Sequence, residues 1–206
     1  MSFEIRLMSP ADVPGAVALQ KSAFPPPFSE DLHWDPEHLL RHIEVFPEGQ
    51  FVAVSNGQVI GSCSNTIIDE LAWSVRGGWY RTVGGPDLET FDSTGTTLYG
   101  LDITVHPDHR RLGVGRAFYE RRFEMVLTWP LLRYGTGCRI PDYKSARHEE
   151  TSLTPETYAE EVLNGRRVDR TLTPLLRYGL RFLMIIHRYM PDEESADCGA
   201  LLEWTR

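Results

Sequence analysis

The stretch Thr97–Trp129, TLYGLDITVHPDHRRLGVGRAFYERRFEMVLTW, constrains the fold of this chain more than any other. Apolar Leu101, Ile103 and Val105 alternate with Asp102, Thr104 and His106, the period of two that a half-buried strand requires. Pro107 ends the strand because it has no ladder N–H to give. Arg110-Arg111-Leu112-Gly113-Val114-Gly115 follows, and then a helical run in which Phe118, Phe123, Val126 and Leu127 can share one face. A strand, a basic glycine-containing turn and a helix together make an anion site. The first turn of a helix carries partial positive charge and leaves its backbone N–H groups unpaired. Glycines let a phosphate approach that backbone without a Cβ in the way.

Two phosphate-binding patterns fail here. A dinucleotide G-x-G-x-x-G fingerprint would need glycine at Phe118, and a Walker loop would need its Gly-Lys-Ser/Thr ending. The pattern Val105-x-Pro107-x-x-Arg110-x-x-Gly113-x-Gly115, in register with its strand and helix, resembles the acyl-CoA pyrophosphate loop of the GCN5-related N-acetyltransferases, the GNAT superfamily.

The rest of the chain supplies a matching order of elements. Phe3, Ile5 and Leu7 alternate in a first strand, Ser9-Pro10-Ala11-Asp12 starts a helix, and Pro25-Pro26-Pro27 stops it. Asp35-Pro36-Glu37 opens a second helix that ends near Pro47. Asn56-Gly57 joins the β-rich runs 50–54 and 58–68 as a hairpin. Residues 70–96 keep no sustained period and read as a long aromatic, glycine-hinged loop. Trp73, Trp79 and Tyr80 in it either roof a substrate pocket or pack on a second subunit, with a homodimer slightly favoured. Further on, Arg133–Ile140 reads as a strand, Thr154-Pro155 as the start of a helix presenting Tyr158, Val162 and Leu163, and 173–178 as one or two helical turns. Arg181–Met190 reads as a buried strand and Gly199–Trp204 as the last one.

These elements predict an α/β domain over residues 1–206. Its mixed sheet has about six to seven strands, flanked by helices, with an inserted helical segment around 141–171. The second half, through Gly137–Tyr143, TPETYAEEV and the tail from Tyr189, also resembles GNAT modules fused to nitrilase-type carbon–nitrogen hydrolases, here expected without the hydrolase half.

Charge and composition narrow the function further. A net charge of −8 argues against a nucleic-acid partner, and no apolar run is long enough to cross a membrane. Without a signal core, and with Cys63, Cys138 and Cys198 scattered singly, a cytoplasmic protein with reduced thiols is expected. The cysteines read as core fillers. His38 and His42 have helical ligand spacing but no obvious third ligand, so no metal is expected.

The resemblance implies that acetyl-CoA lies in a V-shaped cleft between two splayed parallel strands. Ile103 and Val105 would offer main-chain groups to the pantetheine arm and the acetyl carbonyl. The turn Arg110, Arg111, Leu112, Gly113, Val114 and Gly115, with Arg116, would hold the pyrophosphate. Strand parity puts Asp102 opposite Leu101, Ile103 and Val105, as a general base or as the partner of a neighbouring Arg. The family's usual acid, a Tyr, would fall at Leu175, so Tyr178, Tyr143 or water would protonate the leaving thiolate. The function expected is acetyl transfer from acetyl-CoA to a primary amine of a small or amino-acid-like acceptor by direct attack. The alternative is a non-catalytic acyl-CoA-binding module that serves a separate hydrolase.

Overall fold

The computed structural model describes residues 2–206. In chain order it comprises β1 (Glu4–Leu7), α1 (Val13–Ala23), α2 (Pro36–Val45), β2 (Phe51–Ser55), β3 (Gln58–Ile68), α3 (Glu70–Val75), α4 (Trp79–Val83), β4 (Thr97–Val105), α5 (Val114–Thr128), β5 (Arg133–Arg139), α6 (Tyr143–Glu149), α7 (Pro155–Leu163), α8 (Leu172–Arg177), β6 (Arg181–Ile186) and β7 (Gly199–Thr205). The strands form one seven-stranded sheet in the order β1-β2-β3-β4-β5-β7-β6. Every neighbouring pair is antiparallel except β4 and β5, which run parallel on either side of the α5 crossover. The mixed α/β sheet flanked by helices agrees with the sequence.

Local chemistry explains the boundaries. Asn56 and Gly57 both take positive φ, 50° and 75°, the conformation a tight two-residue hairpin turn demands. The Asp35 carboxylate accepts the His38 N–H at 2.9 Å and caps α2. Before α1 the acid does the capping: Asp12 accepts both the backbone N–H and the hydroxyl of Ser9, at 2.9 and 2.7 Å.

Alternation in β2 separates the two faces of the sheet. Phe51 and Ala53 join a core with Val114, Phe118 and Val126 of α5, while Val52 between them packs with Ala16 of α1 and Leu39 of α2. The α7 and α8 side chains Tyr158, Ala159, Val162, Leu172 and Leu175 extend the α5-side core.

Several expectations are corrected. Residues 70–96 are not a bare loop but carry α3 and α4. Trp73, Trp79 and Tyr80 do not form one patch. Trp73 is buried over Gly135, where a Cβ would come within 2.4 Å of its ring, whereas Tyr80 is 68% exposed. Leu127 is exposed because nine residues from Phe118 is half a turn out of phase; buried Arg122 sits on the inner face of α5 instead. Leu163 is likewise off the Tyr158–Val162 face. The run 181–190 is a strand only to Ile186 and lies at the sheet edge, so it is partly exposed. His42 is fully buried.

Candidate active site

The site begins with one extra residue in β4. Ser64 of β3 faces Asp102 and the next residue, Asn65, faces Gly100, so Leu101 has no partner and forms a β-bulge. The bulge shifts the alternation. Ile103 and Val105 pack on the α5 side, but Leu101 packs with Tyr99 on the other, and the expected shared face of Leu101, Ile103 and Val105 is broken. Buried Arg122 takes up the interrupted ladder. It donates to the Asp102 carbonyl at 2.8 Å, the Ser64 carbonyl at 3.3 Å and the Asn65 Oδ1 at 2.7 Å.

Beyond the bulge β4 and β5 separate. Their pairing runs from Thr97 opposite Arg133 to Gly100 opposite Thr136 and stops, while β5 stays paired with β7 as far as Arg139. Phenols occupy the fork. Gly137 N–H donates to Tyr99 Oη at 3.0 Å, and Tyr189 Oη donates to the Gly137 carbonyl at 2.9 Å. The Thr136 hydroxyl donates to the Gly100 carbonyl at 3.1 Å. A cavity of about 1290 Å³ opens from this fork, lined among others by Asp102, Ile103, Val105, Arg110, Gly115 and Tyr178. From Leu101 onward the β5-facing edge of β4 has no ladder partner, although the Val105 carbonyl accepts Arg110 Nε at 3.4 Å.

At the far end of β4 a 3₁₀ turn, Pro107–His109, leads into the basic turn. Arg111 has φ 62° and Gly113 φ 89°, which reverse the chain so that α5 starts at Val114 with its first N–H groups unpaired. Nothing lies within 4 Å of a Cβ built at Gly113, and at Gly115 only Tyr178 Oη, at 3.7 Å. The backbone of the turn is therefore open. Two neighbouring arginines are committed elsewhere. Arg110 donates to the Ala23 carbonyl at 2.9 Å and braces the turn against the end of α1. Arg116 points outward and pairs with Glu120 at 3.0 Å. Arg111 and Leu112 are exposed, while the Val114 side chain is buried in the core.

Asp102 faces the cavity on the α1 side. Its carboxylate accepts Gln20 Nε2 at 3.2 Å and the Thr104 hydroxyl at 3.0 Å, and burial pushes its pKa up. Arg122 hydrogen-bonds the main-chain oxygen of Asp102 rather than its carboxylate. Gln20, Thr136 and Arg122 were not singled out in the sequence. The signal for Arg122 was its place on the inner face of α5, where a cation needs acceptors.

The two tyrosines part company. Tyr143 does not reach the cavity: it is 2% exposed and its hydroxyl donates to the Leu153 carbonyl at 3.1 Å, which corrects its assignment as a catalytic acid. Tyr178 does line the cavity, and burial raises its pKa. Its hydroxyl lies beside Gly115 at the start of α5, and its ring packs on Tyr119 with centroids 5.1 Å apart. Cys138 also lines the cavity, but burial pushes its thiol up, away from the thiolate form. Among the described residues no cluster of His, Cys, Asp and Glu could hold a metal ion, and no helix is long and apolar enough to cross a membrane.

The chain belongs to the acetyltransferase (GNAT) family, whose model matches residues 14–131. It is 34% identical over 203 residues to the uncharacterized N-acetyltransferase YkwB of Bacillus subtilis (strain 168), covering 98% of this chain and 88% of that protein. It is 32% identical over 201 residues to the probable hydrolase YhcX of the same organism, covering 97% of this chain and 38% of that longer protein. Among solved structures, the GphF GNAT-like decarboxylase in complex with isobutyryl-CoA superposes with a TM-score of 0.82 at 24% identity, over 98% of each chain.

Proposed function

We propose that this protein transfers the acetyl group of acetyl-CoA to a primary amine of a small or amino-acid-like acceptor by direct attack. One observation carries the reading. Asp102, a carboxyl group raised by burial, faces the cavity where the main chain of β4 loses its strand partner. An amine with a pKa near ~10 arrives protonated and must lose a proton before it attacks. A base whose pKa is raised by burial suits that step. Asp102 takes the ammonium proton and passes it to solvent; the neutral amine nitrogen then bonds to the thioester carbonyl carbon, gives its second proton to Asp102, and the C–S bond breaks. The free N–H groups of the β4 edge stabilise the oxyanion that forms meanwhile.

The leaving thiolate receives its proton from Tyr178 or from water. Tyr178 sits nearer the phosphate-binding turn than the base, which favours water. The turn Arg110–Gly115 binds the pyrophosphate chiefly through backbone N–H groups, since Arg110 and Arg116 are already engaged, and the exposed Arg111 adds positive charge.

The test is acetyl transfer itself: incubation with acetyl-CoA and a panel of primary amines, with N-acetylated product identified by mass spectrometry. A competing reading is a non-catalytic acyl-CoA-binding module that serves a separate hydrolase. Leu175 at the usual Tyr position and the relation to part of YhcX favour it. Tight acetyl-CoA binding without acetylated product from any amine would decide for the module.

A further inference from the structure

The chemistry of the acceptor is written in the wall of the cavity on the α1–α2 side. Phe24, Phe28, Trp34 and Trp79 all line it, in the same cavity as Asp102. The Phe24 and Phe28 rings lie 5.1 Å apart and those of Trp34 and Trp79 5.7 Å apart. One ring of each pair makes a further contact. The Arg139 guanidinium sits 4.8 Å from the Phe28 centroid, and the buried His42 ring meets Trp34 edge-on at 4.8 Å. One side chain ties this wall to the base: Gln20 accepts the Trp34 backbone N–H at 2.8 Å and donates to the Asp102 carboxylate at 3.2 Å. An amine that has reached Asp102 is therefore one side chain away from Trp34, on the wall of the same cavity. The cavity, about 1290 Å³, also exceeds the range of roughly 300–1,000 Å³ that serves one small ligand.

We infer that the acceptor is an aryl-bearing primary amine, whose ring packs on Trp34 and Trp79 while its nitrogen faces Asp102. The inference rests on the acetyl-transfer reading of the same cleft. A flat ring gains from offset or edge-on contact with the indoles, and an alkyl chain of similar length does not. The aromatic wall is thus the element that selects among amines.

The experiment compares 2-phenylethylamine with n-hexylamine, first by calorimetric binding to the CoA-saturated protein and then by acetylation. The aryl amine is expected to bind at least roughly tenfold more tightly, and Trp79→Ala to remove most of that ratio. Trp79 is partly exposed, so this variant should fold; Trp34→Ala provides the second. Acetyl-CoA affinity should be unchanged in both. Equal binding of the two amines, or a ratio that survives both substitutions, overturns the inference. If the aryl amine binds in a Trp79-dependent way but no product forms, the acetyl-transfer reading fails and the pocket assignment stands.

Discussion

Replacing Gly115 with Val separates ligand binding from folding more cleanly than any other change in the turn. Gly115 is the second residue of α5, in ordinary helical conformation, and a Cβ there meets only Tyr178 Oη at 3.7 Å. In a helix Gly is about 1 kcal/mol worse than Ala and Val up to about 0.7 kcal/mol worse, so the exchange should leave stability nearly level. The new methyl groups project into the cavity, over the N–H groups that the pyrophosphate needs. A hydrogen bond to a charged group is worth about 1.5–3 kcal/mol, so losing two of them costs about 3–6 kcal/mol. That is roughly a 10²–10⁴-fold rise in Kd. Calorimetric titration with acetyl-CoA measures the loss, and circular dichroism with a urea melt confirms the fold. S-acetylpantetheine, which lacks the pyrophosphate, is the control and should bind the variant much as it binds the parent. A folded Gly115→Val protein with parental acetyl-CoA affinity would refute the assignment of the turn. The same exchange at Gly113 is a poorer test, because φ 89° there costs a side chain about 1–2 kcal/mol before any ligand is considered.

Asp102→Asn should lower kcat with little change in acetyl-CoA affinity, and the kcat/KM profile should lose an acidic limb lying above the ordinary carboxylate value of 3.8; parental kinetics would return Asp102 to a structural role. His42 is buried, and burial lowers its pKa from 6.5 to about 4. Its unfolded form takes up a proton first as the pH falls, so stability present above pH 6.5 is lost on the way down to pH 4, by about 3 kcal/mol. Urea melts from pH 7 to 4 should show this slope in the parent and lose it in His42→Gln, and identical slopes would contradict the assignment. Arg122→Leu strands three buried acceptors, the Asn65 Oδ1 and the carbonyls of Ser64 and Asp102, and should destabilise by roughly 3–6 kcal/mol. A urea midpoint within error of the parent would show that the bulge does not need its arginine.

The fold was readable where short-range chemistry decides it. The Asn56-Gly57 hairpin, the Pro107 stop and the helix after Gly113 each follow from the conformations those residues allow. The order of the last strands was not: β7 enters between β5 and β6, a long-range choice that leaves no local mark. The parity of β4 was misread because one bulged residue reverses the alternation, and the residue that stabilises the bulge, Arg122, lies twenty positions away. Within the site, the backbone turn was legible from its glycines, while the roles of its arginines were not. Their side chains are long, and acceptors such as the Ala23 carbonyl compete with a ligand for them. Tyr143 looked as available as Tyr178, since burial of a hydroxyl depends on α7, whose packing the local sequence does not state.

The phenols at the fork carry a consequence for how the cleft meets its ligand. The gap between β4 and β5 is spanned by Tyr99 and Tyr189, and Gly137 has to be glycine because a Cβ there would lie 2.3 Å from the Tyr189 ring. The width of the opening is thus set by a rigid spacer in the resting protein, so entry of a thioester requires little rearrangement and loses little of its binding energy to reorganisation. Ladder position alone would make the Gly137 amide fast to exchange with deuterium; held by Tyr99, it should rank with the slow amides of the sheet, with or without CoA.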